Sequence, residues 1–232
     1  MRALPAPELL RVWEQGLAQS PIERALALLA AGGSEEKDVL AELSIGERDT
    51  RLLALREKTF GANCESLVAC PGCGEQLELA FTLADMRRAP EGAAELSVDT
   101  DQHAFNFRLP NSIDLAEAAG ARDERKAREL LLDRCLLNDG DKVLPDEVLD
   151  RIAERMERAD PQANVRLDLH CPVCDHVWQA VFDIESYFWT EIDAWAQRTL
   201  KEVHALASAY GWRELDILNM TPWRRRMYLG ML

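Results

Sequence analysis

The chain is short of long apolar runs. In its first part the longest stretch without a charged residue, 25–34, is ten residues, against the roughly 20 a membrane-spanning helix needs. The start, MRALPAPELLRVWEQ, is interrupted by Pro5, Pro7 and Glu8 and has no signal-peptide core. These absences predict a soluble, cytoplasmic protein with no membrane insertion. Bases are scarce too: 27 Lys+Arg stand against 41 Asp+Glu, a net charge of −14. Counterion release, which drives nucleic-acid binding, is closed to most of such a surface. No Walker A loop, G-x-G-x-x-G, H-E-x-x-H or G-x-S-x-G is present. Nothing pairs two carboxylates in a cleft, so no enzyme is expected. The turn Asn138-Asp139-Gly140-Asp141 is not a calcium loop, because Val143 stands where an oxygen ligand is needed. His103 in a strand pattern and His204 in a helix read as structural.

What is present is globular. Hydrophobic residues make up 47% of the 232 and charged residues 29%, which excludes disorder as the main state. Ser20-Pro21-Ile22-Glu23 is a capping box that opens a helix to Ala31. Ser44-Ile45-Gly46-Glu47 repeats it and opens another to Phe60, with Leu52, Leu53, Leu55 and Phe60 toward a core. Glu8 to Leu17 is amphipathic. From residue 62 the pattern changes: Leu77, Leu79, Phe81 and Leu83 alternate as a half-buried strand, and Phe105, Phe107 and Leu109 offer a partner strand across a loose loop at 87–101. Helices are expected at 114–119, 122–137 and 145–159. Strand character returns at Val165, Leu167 and Leu169, and again at Trp178 and Phe182. A long helix over 186–210 and two short closing helices end the chain.

Six cysteines in a reducing compartment do not suggest a disulfide set. Four of them fall in two Cys-x-x-Cys knuckles, Cys70/Cys73 and Cys171/Cys174, each flanked by strands. That pattern predicts one closed structural zinc site of four thiolates. The separation is unusual: 97 residues lie between Cys73 and Cys171, against about 15 to 20 in a compact ribbon. Closure entropy grows only logarithmically, so an insertion of this length is tolerable. Two separate redox dithiols, or unliganded core thiols, are the competing accounts. His170 and His176 adjoin the second knuckle as substitute ligands or exposed neighbours. Cys64 and Cys135 read as small buried hydrophobes.

The fold expected is α+β and predominantly helical, with a small antiparallel zinc-ribbon-like β module between helical segments. The segments are 1–61 (helical), 62–110 (first half of the module), 111–160 (helical insertion), 161–185 (second half) and 186–232 (helical). Between Phe60 and Asp85 there are four acids and no base, so the zinc would staple a fold or support a protein contact, not grip nucleic acid. The last 21 residues invert the charge to +2 in a protein otherwise −16. Trp212, Trp223, Arg224, Arg225, Arg226 and Tyr228 there are either a closing helix paired to the acidic body or a partner-binding element, since these types are enriched at interfaces.

The segments LLALREKTFG, LVACPGCGEQLEL, FRLPNSIDLAEAAG, DPQANVRLDLHCPVCDHVWQAVFDI and FWTEIDAWAQRTLKEVHALASAYGWRELDILNMTPWRRRMYLGML carry a resemblance over most of residues 50–232. The chain resembles the phage baseplate hub assembly chaperone family of contractile tails, which includes members encoded near phage-like contractile injection systems. The resemblance implies a non-enzymatic role at the baseplate around the central spike, with hub or spike proteins as partners. It implies Cys70, Cys73, Cys171 and Cys174 as the zinc ligands, and an interface drawn from Glu202, His204, Tyr210, Trp212, Arg224, Arg225 and Tyr228. Departure after assembly and retention in the particle both fit. The other function classes are a transcription-associated zinc-ribbon adaptor and a dithiol redox protein.

Overall fold

The computed structural model describes residues 1–89, 96–99, 104–137 and 145–232. His103, the turn Asn138-Asp139-Gly140-Asp141 and much of the expected loop 87–101 lie outside the described residues.

Four helices open the chain: α1 (Ala6–Gly16), α2 (Pro21–Gly32), α3 (Lys37–Ala41) and α4 (Ile45–Phe60). At α2 both halves of the capping box form. The Ser20 hydroxyl accepts the Glu23 N–H, and the Glu23 carboxylate accepts the Ser20 N–H at 2.8 Å. At α4 only half forms, because Glu47 turns away to Arg51 at 2.8 Å. Gly61, at φ +96°, ends α4 in a conformation costly for a side chain.

A hairpin follows, β1 (Asn63–Ala69) and β2 (Gln76–Thr82), then the single turn α5 (Leu83–Met86). β3 (Ser97–Asp99) pairs with β4 (Ala104–Asn106). The strand around Phe105 therefore does not partner the strand ending at Leu83, as its alternation had suggested. The tight Cys70–Cys73 turn returns the chain at once, and β2 takes the adjacent β1, the shortest loop to close. β4 continues into Phe107, which packs with Val98, Leu132, Cys135, Ile152 and Met156. Val98 comes from β3 and the other four from α7 (Glu124–Cys135) and α8 (Asp146–Ala159), which follow α6 (Ser112–Ala118). A 3₁₀ turn at Pro161–Asn164 leads into the second hairpin, β5 (Arg166–His170) and β6 (Val177–Val181). The chain closes with α9 (Ile184–Tyr210), α10 (Glu214–Leu218) and α11 (Pro222–Leu229).

The molecule is mostly helical, as the sequence predicts, and its described strands form three separate two-stranded antiparallel sheets. The β1–β2 and β5–β6 hairpins share no ladder, so the ribbon-like single module of the sequence reading is two hairpins that meet without strand pairing. They are rooted in one core. Cys64, Leu83 and Val165 sit with Leu28, Leu52, Leu53, Leu55, Phe188 and Ile192 in the main hydrophobic cluster. Helix α9, 27 residues and about 40 Å long, leaves this cluster for a second one with Ala196, Leu206, Ile217 and Leu218.

Buried charges lock the layers. Arg56, 2% exposed, spans α4 and α9: its Nε donates to Glu191 at 2.8 Å and its Nη1 to the Gly61 carbonyl at 2.7 Å. Asp114, fully buried, accepts from Arg108 at 2.9 Å, Arg134 at 3.0 Å and the Asn111 N–H at 3.0 Å. Burial alone would raise its pKa, but these donors hold its carboxyl down to about 2. No described helix is long and apolar enough to cross a membrane.

Candidate metal centre

Each knuckle is the turn of a hairpin, and the two turns are built alike. In the first, the Cys70 N–H donates to Glu75 C=O at 2.8 Å and the Gly74 N–H to Cys70 C=O at 2.8 Å. In the second, the Cys171 N–H donates to His176 C=O at 2.9 Å and the Asp175 N–H to Cys171 C=O at 3.0 Å. The fifth residue of each turn must be left-handed. Gly74 has φ +78°, and Asp175, at φ +57°, is the sole described non-glycine residue with positive φ. Asp is among the few types that tolerate it, which is how the second turn forms without a glycine. Gly72 is fixed by packing: a Cβ there would come within 3.1 Å of the His176 ring.

The turns face each other. The Sγ atoms of Cys70, Cys73, Cys171 and Cys174 all lie within 4.8 Å of one another, and the cross-hairpin pairs Cys70–Cys174 and Cys73–Cys171 are 3.7 Å apart. Four thiolates at the usual Zn–S length mark a tetrahedron with edges of about 3.8 Å. The four sulfurs are thus spaced to hold one metal ion. Cys70 and Cys171 lie inside and Cys73 and Cys174 at the surface.

The electrostatics point the same way. Burial opposes ionisation of Cys70, but the amides of Cys73 and Gly72 overcome it and bring its thiol down to about 7. The His176 amide favours a Cys174 thiolate, yet competition with Cys73, Cys70 and Cys171 pushes that thiol up to about 12. Four sulfurs this close compete for negative charge, and a central dication relieves the competition.

Neither nearby histidine joins the group. His170 Nε2 faces Asp175 at 3.3 Å, and the His176 ring stacks on Trp178 at 5.9 Å. Cys64 and Cys135 are buried apart from the cluster, and burial raises both thiols, Cys135 to about 11.

The C-terminal residues separate into two sets. Arg225 is buried, its Nε donating to Glu202 at 2.9 Å and its Nη1 to the Met220 carbonyl at 3.2 Å. Trp212 is half-buried, stacked on Tyr210 at 4.5 Å and edge-on to Tyr228 at 4.9 Å. Arg224 and Arg226 are exposed, as is His204. Trp223 and Met227, one turn apart on α11, and Met231, in the turn after it, are 66%, 46% and 67% exposed. Met227 falls inside the aromatic and basic run 223–228 that the sequence marks, whereas Met231 was not singled out. Buried Arg56 and its half-buried partner Glu191 also escaped the sequence reading, because nothing local distinguishes a buried arginine in a polar helix face.

No curated protein sequence and no solved structure matches the chain. A family model does, that of the T4 bacteriophage base plate protein, over residues 18–139. The match takes in α2 to α7 and the first knuckle and ends before the second. It covers more than half of the chain, which therefore belongs to the T4 bacteriophage base plate protein family.

Proposed function

We propose that this baseplate-family chain is a non-enzymatic assembly factor of the baseplate hub, acting by protein–protein binding, with one structural Zn²⁺ on Cys70, Cys73, Cys171 and Cys174. A donor set of four cysteines suits zinc and leaves no open position for a substrate or water, so the ion's task is to hold two hairpins together. The partners are hub or spike proteins of a contractile tail or a phage-like injection apparatus, met in the cytoplasm during assembly. The dithiol redox reading is disfavoured because both Cys-x-x-Cys pairs occupy hairpin turns and not strand-to-helix junctions. The regulatory adaptor reading lacks a basic patch around the knuckles: residues 60–85 hold no Lys or Arg and residues 165–185 only Arg166.

The observation that carries the binding role is the exposed pair Trp223 and Met227 on a helix whose other face is anchored by Arg225, with exposed Met231 in the turn that follows. Trp and Met are typical of interface centres, and the pair is flanked by Arg224 and Arg226, the basic exception on an acidic protein. Deleting 221–232 would be a poor test, since it also removes the Arg225 ion pair with Glu202 and takes Tyr228 and Leu229 from the second core cluster. The sharper variant is Trp223→Ala with Met227→Ser and Met231→Ser. Captured from the native host and analysed by mass spectrometry, it should lose baseplate proteins while keeping its metal and melting temperature. Equal capture by variant and wild type rejects the docking role of α11.

A further inference from the structure

Hydrogen-bond parity decides which backbone groups of the first hairpin are spoken for. The Leu83 N–H donates to Ala62 C=O at 3.0 Å and the Cys70 N–H to Glu75 C=O at 2.8 Å. Between those limits the bonded pairs are Cys64–Phe81, Ser66–Leu79 and Val68–Leu77. Glu65, Leu67 and Ala69 consequently turn their N–H and C=O groups away from β2, along the free edge of β1. The first of these positions is already satisfied by a side chain. The Tyr187 hydroxyl accepts the Glu65 N–H at 3.2 Å and donates to the Glu65 carbonyl at 3.1 Å. No such partner reaches Leu67 or Ala69 among the described residues.

Beside this edge lies a cleft of about 980 Å³ between the hairpin and α9. Leu79, Tyr187 and Ala194 give it apolar surface, while Leu67, 64% exposed, and Ala80 lie on the other face of the hairpin. Glu65 and Glu78 also line it. Glu191 is neutralised by Arg56, but Glu65 and Glu78 make no ion pair among the described residues, and no base lies between residues 60 and 85. The cleft thus combines unpaired backbone groups, apolar surface and unbalanced negative charge.

We propose that the β1 edge at Leu67–Ala69 is a strand-addition site for an extended segment of a partner protein that alternates apolar and basic side chains. The inference rests on the reading of the chain as a protein-binding baseplate factor and names a second contact surface, away from α11. Main-chain bonds to Leu67 and Ala69 give the affinity, and the alternation sends apolar side chains to the face of Leu79 and basic ones to the opposite face, which Glu65 and Glu78 share with Leu67 and Ala80. Two copies joined through this edge would instead bring four like charges together, which is destabilising. Tyr187 limits the seat to a short ladder by closing its Glu65 end.

Leu67→Pro removes one outward N–H and leaves the ladder with β2 intact, because proline is tolerated where an edge N–H faces solvent. The probe is a fluorescent Lys-Val-Lys-Val-Lys peptide read by anisotropy, with Glu-Val-Glu-Val-Glu and the scrambled Val-Val-Lys-Lys-Lys as controls. Wild type should prefer the alternating basic peptide, and Leu67→Pro should weaken it about tenfold, the worth of one hydrogen bond, with circular dichroism and metal content unchanged. The double variant Glu65→Lys, Glu78→Lys should switch the preference to the acidic peptide, which keeps the test decisive should the proline variant misfold. The proposal is overturned by no binding, by equal binding of the scrambled peptide, by no change in either variant, or by sedimentation showing a wild-type dimer that Leu67→Pro dissociates. The triple α11 variant separates the two readings. It should bind the probe normally, and loss of host-protein capture with probe binding retained concerns α11 alone.

Discussion

Removal of the proposed metal is the perturbation whose size the structure lets one work out. The cluster ties together turns that are 97 residues apart between Cys73 and Cys171. A cross-link closing a loop of that length in an otherwise free chain is worth about 5 kcal/mol. The hairpins are not free, however, because Cys64 and Val165 already meet in the main core. With that core intact, the loop the ion closes runs only from Cys64 to Cys70 and from Cys171 back to Val165, roughly a dozen residues, for which the same relation gives about 3 kcal/mol. At about 2 °C per kcal/mol for a chain this long, chelation should lower the melting temperature by about 6 °C. A loss of about 10 °C would mean that the hairpins depend on the ion for their global placement. Calorimetry with and without a strong zinc chelator measures the shift. Hydrogen exchange should show loosening at Gly72, Cys73 and His176 while α2 and α4 stay protected. Elemental analysis of freshly isolated protein should give one zinc per chain. Protein free of transition metal, or identical melting of chelated and loaded samples, refutes the reasoning.

Other outcomes follow from single side chains. Burial, reinforced by Asp183 and opposed by Arg24 and Arg48, pushes Glu185 up to about 7, and its Oε1 has no hydrogen-bond partner among the described residues. Because the folded pKa is raised, its contribution is fully present below the unfolded value near 4.5 and is lost as pH rises through 7. Glu185→Gln should therefore flatten the melting curve between pH 5 and 8 and add about 2–3 kcal/mol at pH 8; parallel pH profiles for variant and wild type would contradict this. Gly46→Ala would ordinarily help a helix by about 1 kcal/mol. Here the added Cβ would sit 1.7 Å from Asp160 Oδ1, whose carboxylate accepts the Gly46 N–H at 2.8 Å, so a loss of about 1–3 kcal/mol in urea denaturation is expected.

Local signals placed most of the helices. Caps such as Ser20 and Asn111, whose side chain accepts the Asp114 N–H at 3.0 Å, are written in a few adjacent residues. The knuckles were legible for the same reason, since two cysteines with two residues between them are a local pattern, and the structure brings all four sulfurs together. Pairing was harder to read. The alternation of Phe105 and Phe107 says that a strand is half-buried but not what covers it, and here the cover is α7 and α8, not β2. Short elements such as α3, with no side-chain cap, leave almost no periodicity to detect. Arg225 illustrates a different limit: within the run Trp223 to Tyr228 its neighbours Arg224 and Arg226 are chemically identical, and only the position of Glu202 on α9 selects the middle one for burial.

The inward turn of Arg225 has a consequence for the speed and specificity of association. A terminal helix held only by its apolar underside would rock, and whatever landed on it would first have to freeze it. With the guanidinium clamped to Glu202 and the Met220 carbonyl, Trp223, Met227 and Met231 stand at a fixed angle before any encounter. Immobilising each such side chain on contact would otherwise cost about 0.5–1.5 kcal/mol. Discrimination between targets then depends on shape at the moment of collision, with little left to later rearrangement.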